Sequence, residues 1–292
     1  MTTLSDYLSE SILSSTRTGK AHLDEELKKY SLDPAKATLN ADGTIDYDGH
    51  VLLYSRGLTN LSKLPFKFRN VSGGFFCNNN HLTTLDGCPR IVKGDFDCGS
   101  NNLVNLKGIP EQIGGKFICI KNNITTLEGA PDKINGLFNC SSNKLTNLKG
   151  GPTYVDNSFI CTHNELITLK GAPDNVKGSF DCSFNQLISL EGAPNTIKGN
   201  FDCSHNELTS LKHCTQTGVV SFYCYKNHLT SLEGGPEQVS LNYDCANNNL
   251  TSLEGLPKKL SYELYCYDNS VKFTKEDVLA LCKINKNKIH TY

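Results

Sequence analysis

The sequence predicts a mainly β solenoid, and three observations carry that prediction. Residues before each repeated cysteine alternate between apolar and polar, as from Val92 to Cys98, which is typical of a strand with one buried face. An asparagine follows each repeated cysteine by three residues and an aliphatic residue by five. The cysteines recur every 21 residues without a slip, at positions 77, 98, 119, 140, 161, 182, 203, 224, 245 and 266. A 21-residue unit holds one strand, a turn and an extended return, so we expect the strands to stack in a continuous parallel sheet.

The repeated cysteines and asparagines are interpreted as structural. Ten of the thirteen cysteines share one strand position, where a reduced thiol packs as a small apolar group, so we expect a buried cysteine ladder. Zinc needs four ligands that converge on a point, and this spacing distributes the thiols along a line. The asparagine ladder is expected to bond backbone groups of its own and adjacent coils.

The unit Phe-x-Cys-x-x-Asn-x-Leu-x-x-Leu resembles the leucine-rich repeat, with Phe96, Cys98, Asn101 and Leu103 at its signature positions. The short period and the Leu-x-Gly-x-Pro return are most similar to the repeat of bacterial effector proteins, although cysteine stands where that subclass has valine or leucine. The resemblance covers residues 51–272. It implies a protein-binding platform. Effectors that are ligases carry a separate C-terminal catalytic domain, which this chain is expected to be too short to hold.

The first 40 residues are predicted to be a helical leader and linker. Apolar residues at positions 4, 8 and 12 recur at helical spacing, which predicts a short amphipathic helix over residues 6–13. Met1–Glu10 also resembles the capsid-targeting leader of internal head proteins of T-even-like bacteriophages, which is removed after a Leu/Ile-x-Glu triplet. Leu8–Glu10 fits that triplet and implies processing between Glu10 and Ser11. The alternative is a small helix that caps the solenoid or docks on another protein.

The remaining chain divides into three parts. Residues 41–76 are predicted to be an N-terminal cap and a degenerate first repeat, with a hairpin made by residues 44–47 and 51–54. Residues 77–272 form the solenoid proper, in which one return, residues 211–218, lacks its Gly and Pro. Residues 273–292 are predicted to be a C-terminal cap and solvated tail, because Thr274 and Asp277 form a capping pattern ahead of an apolar run.

Composition narrows the classes of function. A net charge of −1 gives no concentrated basic surface for nucleic acid or anionic membrane. No apolar stretch is long enough to span a bilayer, and the first residues lack the pattern of a secretion signal. We expect no cofactor, no metal, no nucleic acid and no membrane partner. The expected location is the cytoplasm, that of the host cell if the chain is phage-encoded, or the inside of a phage head.

Function is expected at variable positions that flank the cysteines and face out of the sheet. These positions group into three parts. The apolar part is Ile118, Ile120 and Ile160, the acidic part is Asp181 and Asp202, and the aromatic part is Tyr223, Tyr225, Tyr265 and Tyr267, which flank Asp244. The candidate binding residues are Phe76, Ile118, Ile120, Ile160, Asp181, Asp202, Tyr223, Tyr225, Asp244, Tyr265 and Tyr267. Grouped exposed tyrosines are typical interface anchors, whereas the alternative is that strands favour isoleucine and tyrosine in any case.

We find no catalytic constellation in the sequence. Asp181 and Asp202 fall on neighbouring strands, but nothing indicates a closed pocket or a partner base. His163 and His205 are two coils apart, about 10 Å, which is too far to share a metal. The sequence therefore predicts a non-enzymatic platform whose concave sheet binds another protein, a host protein if the chain is phage-encoded. The alternative is a packaged virion protein in which the solenoid is a rigid spacer.

Overall fold

The computed structural model describes residues 20–291, which form a β-solenoid built around one long parallel sheet. Each coil gives this sheet one two-residue strand, and we call it the front sheet. Its twelve strands are Val51–Leu52, Phe75–Phe76, Phe96–Asp97, Phe117–Ile118, Phe138–Asn139, Phe159–Ile160, Phe180–Asp181, Phe201–Asp202, Phe222–Tyr223, Tyr243–Asp244, Leu264–Tyr265 and Ile289–His290. From Phe75 to Leu264 the paired residues are 21 apart, as the sequence period requires.

Two smaller back sheets are formed by the return segments. The first contains Ala37–Leu39, Thr44–Tyr47, Lys67–Val71, Ile91–Val92 and Gln112–Ile113. The second contains Lys133–Ile134, Tyr154–Val155, Asn175–Val176 and Thr196–Ile197. In the described chain beyond Ile197, the return segments are joined only by single bridges between Val219 and Val239 and between Lys259 and Lys283. The back pairing therefore weakens at the return that lacks its Gly and Pro.

The sequence predicts one strand running from Val92 to Cys98, and this is wrong. Val92 lies in a back sheet and Phe96 in the front sheet, with a bend between them. At Gly94, in this bend, a Cβ atom would stand 2.7 Å from the backbone of Gly73 and Gly74 in the preceding coil. Because the two backbones approach so closely there, the corner at Gly94 admits no side chain. The bend divides the segment into two short strands, one in each sheet.

The core is a column of aromatic rings beside a column of thiols. Buried aromatic residues from Phe75 to Tyr243 stack coil on coil, with ring centroids 5.1–6.1 Å apart. All ten repeated cysteines are buried and carry free thiols. Cys98 Sγ, for example, lies 3.6 Å from the carbonyl oxygen of Ile118 in the next coil. The thiols thus pack as small core groups, and burial raises the pKa of thiols such as that of Cys182.

The repeated asparagines join neighbouring coils through backbone groups. Asn101 donates from Nδ2 to the carbonyl oxygens of Cys77 in the preceding coil, at 3.0 Å, and of Cys98 in its own, at 3.1 Å. Its Oδ1 accepts the backbone N–H of Leu82 at 2.9 Å. The other nine make the same kind of contact, including Asn185 near the middle of the rod. Each asparagine therefore pairs backbone groups that a tight bend would otherwise strand.

The N-terminal end of the solenoid is covered by a helix. Residues 20–29 are helical, and Leu23 and Leu27 of this helix are buried in the core. Within residues 20–291, short 3₁₀ helices also occur at Pro34–Lys36, Leu61–Lys63 and Lys286–Lys288. The leader residues 6–13 and the processing pair Glu10 and Ser11 lie outside the described residues.

The predicted hairpin of residues 44–47 and 51–54 is wrong. Thr44–Tyr47 pairs antiparallel with Ala37–Leu39 and parallel with Lys67–Val71, whereas Val51–Leu52 pairs parallel with Phe75–Phe76. The connection between the two segments is the corner of a coil, because Gly73 N–H donates to the Gly49 carbonyl of the corner before it. The two segments therefore enter different sheets.

The C-terminal end carries the predicted helix, Lys275–Leu281, and its capping box between Thr274 and Asp277 is confirmed. The prediction of a solvated tail is wrong, because Ile289–His290 pairs with Leu264–Tyr265 as the twelfth front strand. No helix of residues 20–291 is long and apolar enough to cross a bilayer. The predicted fold class, a mainly β solenoid with short helices at both ends, is confirmed.

Candidate binding face

The register of the front sheet aligns the residues that precede the repeated cysteines, and His290 of the last strand continues the line. We call this line the face row, and its members are all partly exposed. In order along the rod they are Phe76, Asp97, Ile118, Asn139, Ile160, Asp181, Asp202, Tyr223, Asp244, Tyr265 and His290. Eight of the eleven candidate binding residues lie in this row. Ile120, Tyr225 and Tyr267 stand two residues further along their coils and are also partly exposed.

Four aspartates of the face row are held by their own coils. Asp181 Oδ1 accepts the N–H of Ser183 at 3.0 Å and its hydroxyl at 2.7 Å, and Asp202 is held by Ser204 in the same way. Asp97 and Asp244 accept only the backbone N–H two residues on. Among residues 20–291, none of the four carboxylates forms an ion pair. Each carboxylate is therefore fixed in place without a neutralising charge.

Partial burial disfavours the charged form of these carboxylates. The pKa of Asp202 is raised to about 6, chiefly by burial and also by the neighbouring charges of Asp181 and Asp244, while the bonds from Ser204 oppose the rise. Burial likewise raises the pKa of Asp244 to about 6 and raises the pKa of Asp181. Asp202 and Asp244 consequently titrate near pH 6.

The serines that follow the cysteines are more enclosed than the sequence predicts. Positions directly after the cysteines are expected to face outward, yet Ser183 and Ser204 are only 4% and 0% exposed. The reason is that the carboxylates of Asp181 and Asp202 lie over them and accept hydrogen bonds from their hydroxyl groups. The two serines therefore hold the aspartate side chains in position and are too buried to contact a partner themselves.

The aromatic part is extended by a residue that the sequence does not reveal. The ring of His290 stacks on that of Tyr265 with centroids 4.4 Å apart and planes 10° apart. Tyr267 meets Tyr265 edge-on at 6.4 Å. His290 belongs to the tail and has no cysteine after it, so the repeat gives no signal for its place in the row.

A second aromatic line, the flank stack, was also missed. His163, Phe184 and His205 each follow a cysteine by two residues, and their rings stack at centroid distances of 4.4 and 3.9 Å. Tyr225 contacts His205 edge-on at 5.2 Å. The three have φ angles of 52°, 54° and 51°, a left-handed turn shared by this position in every repeat. The available signal is that Phe184 is the only apolar residue at that position, and its side chain is 40% exposed.

Open clefts lie beside the flank stack and in the return segments. The first, of about 800 Å³, is lined by Phe184, His205 and Lys226 among others. The second, of about 910 Å³, is formed by residues 233–240 and 254–261 with Gln216 and contains none of the predicted binding residues. Within the described part of the chain, no three His, Cys, Asp or Glu side chains are placed to hold a metal ion.

No protein-family model matches the chain, and no curated protein matches its sequence. Among solved structures it is similar to YopM from Yersinia enterocolitica WA-314, at 20% identity over 73% of this chain and 65% of that chain, with a TM-score of 0.30. It is also similar to the leucine-rich repeat domain of APL1B, at 14% identity over 99% of this chain and 93% of that chain, with a TM-score of 0.46. The chain thus spans about two thirds of the YopM length. From its own period, core and asparagine contacts, the chain is a leucine-rich-repeat solenoid.

Proposed function

We propose that this chain is a non-enzymatic platform that binds another protein through its front sheet. The observation that carries the proposal is the aromatic part of the face row, where Tyr223 and Tyr265 are partly exposed on a rigid sheet beside Tyr225 and Tyr267. Tyrosine brings a large contact area to an interface at a small cost in conformational entropy. The stacked core and the asparagine contacts hold the row in place before any partner arrives.

The acidic part suits recognition better than catalysis. Asp181 and Asp202 are neighbours in the front sheet, but their Oδ1 atoms are occupied by serine hydroxyls and backbone N–H groups of their own coils. They lie on a sheet face whose residues are partly exposed along its length. A general acid and base pair works in a site that excludes water and positions a substrate, and an open sheet supplies neither.

The experiment compares two surface variants as bait in extracts of the source cells. The first is Tyr223→Ala with Tyr265→Ala, which removes two anchors of the face row. The second is Tyr154→Ala, which removes a partly exposed tyrosine of a back sheet. The proposal expects a protein captured by the wild type and by Tyr154→Ala to be lost from the double variant, with circular dichroism unchanged. A partner retained equally by all three proteins would contradict it.

The packaged virion protein remains the second proposal for function. Its support is the resemblance of Met1–Glu10 to a capsid-targeting leader, and it places the chain inside a phage head instead of the host cytoplasm. The mature protein then begins at Ser11, and Glu10→Gln keeps the leader attached. Mass spectrometry of the protein from its native particles measures both, and an intact Met1 terminus in particles would exclude this processing.

A further inference from the structure

We infer that the protein partner presents an arginine or lysine side chain to the part of the face row formed by Asp202, Tyr223 and Asp244. The inference rests on the proposed function and names the chemistry of the partner at one point of the front sheet. We call these three residues the cation seat.

The register of the sheet builds the seat. Asp202, Tyr223 and Asp244 occupy equivalent positions on three adjacent parallel strands. Parallel strands lie about 4.8 Å apart, so the backbones of the two aspartates stand roughly 10 Å apart with the Tyr223 strand between them. A cation docked over the middle strand is flanked by an aspartate strand about 4.8 Å away on each side. Attraction to the ring face and attraction to both carboxylates then act on the same group.

The seat has free acceptor capacity. The bonds from Ser204 to Asp202 and from Ala246 to Asp244 all end on the Oδ1 atoms. Within residues 20–291, the Oδ2 atoms have no hydrogen-bond partner and neither carboxylate has an ion-pair partner. Each aspartate is therefore oriented by one oxygen while the other is left for an incoming donor. A guanidinium or ammonium group supplies such donors together with the missing positive charge.

The surroundings of the seat favour a cation over a neutral or acidic group. Asp181 extends the negative charge by one strand on one side, and Tyr265 extends the aromatic surface on the other. Partial burial makes the uncompensated charges costly, which is visible in the raised pKa of Asp202 and Asp244. A docked cation offsets that cost, whereas a carboxylate would add to it.

The apolar part of the row gives the partner a second feature. Ile160 lies three strands before Tyr223, a distance of roughly 14 Å along the rod. An extended chain covers about 3.4 Å per residue, so an apolar side chain on Ile160 and a basic one in the seat are about four residues apart. The expected recognition element is an extended segment with an apolar residue and an arginine or lysine at that spacing.

The test uses a probe in which the apolar residue is tryptophan, since the chain itself contains none. The probe Ac-Trp-Gly-Ser-Gly-Arg-NH2 is titrated with the full chain while tryptophan emission is followed, together with a matched probe in which glutamine replaces arginine. A random nine-residue peptide library is selected against the same protein in parallel. We expect the arginine probe to bind at least about tenfold more tightly than the glutamine probe, and the selected peptides to be enriched in arginine and lysine.

Isosteric variants show whether the seat is responsible. Asp202→Asn and Asp244→Asn keep an Oδ1 acceptor for the bonds within the coil, and Asp132→Asn is an exposed control in a return segment. We expect the first two to remove the preference for arginine over glutamine and the control to keep it. Selected peptides that depend on Tyr223 but contain no basic residue would overturn this inference and leave the proposed function standing. Failure of the probe and of every peptide to bind the front sheet would overturn both.

Discussion

Replacing Asn101 by alanine tests whether the asparagines hold the coils together. Asn101 contacts four backbone groups, but three of them have a second partner. The carbonyl of Cys77 also accepts from Asn80, that of Cys98 from Asn122, and that of Gly99 from the backbone N–H of Asn79. Only the backbone N–H of Leu82 has no partner other than Asn101.

The structure therefore predicts the loss of one buried donor's only bond, together with a small cavity. An unsatisfied buried donor costs about 1–3 kcal/mol, and we expect Asn101→Ala to lower the free energy of unfolding by about 2–3 kcal/mol. Asn102→Ala is the matched control, because Asn102 is exposed and only its backbone is bonded to the preceding coil. Its expected effect is below about 0.5 kcal/mol. Urea unfolding followed by circular dichroism measures both, and equal midpoints would refute the reasoning.

Three further measurements follow from the core and the face row. The folded pKa of Asp202 and Asp244 is about 6, against an ordinary 3.8, so the folded state holds their protons more tightly and their contribution to stability is lost as pH rises from about 4 to 6. Asp202→Asn should flatten that fall in urea titrations, and an unchanged slope would contradict the burial. Phe180→Ala removes a ring between Phe159 and Phe201 and should cost about 3–5 kcal/mol, whereas a loss below about 1 kcal/mol would disprove close packing. Maleimide should label the repeated cysteines only after denaturation, and rapid labelling of most of them in the native protein would show that the column is open.

The period of the sequence is sufficient to predict the stacked coils, the buried cysteines and the backbone contacts of the asparagines. It does not predict the bend at Gly94, because the alternation of apolar and polar residues continues through it. What forces the bend is the close approach of the Gly73 backbone in the preceding coil, which is a property of the stack. The sequence of a single repeat does not encode that distance, because the distance exists only between two stacked coils.

The alignment of the face row could be predicted from the sequence, but the aromatic residues that lie beside it and at its end could not. The register follows from the period, so the alignment of Asp202, Tyr223 and Asp244 is implicit in the sequence. Phe184 and the two histidines beside it enter the surface because a left-handed residue turns the side chain outward, and the spacing of the repeat does not encode that angle. His290 joins the row only after the C-terminal helix has returned the chain to the sheet.

The contacts of the repeated asparagines make every regular joint in the rod interchangeable. The amide of Asn143 bonds the cysteine carbonyls of its own and the preceding coil, and Asn164 and Asn185 do the same one and two coils later. Loss or duplication of 21 codons would therefore bring together two surfaces that already carry matching donors and acceptors. Such a gene can lengthen, shorten or reorder its surface by unequal recombination while the interior stays the same. Each coil is then a unit of surface that can be exchanged without a change in the contacts that join one coil to the next.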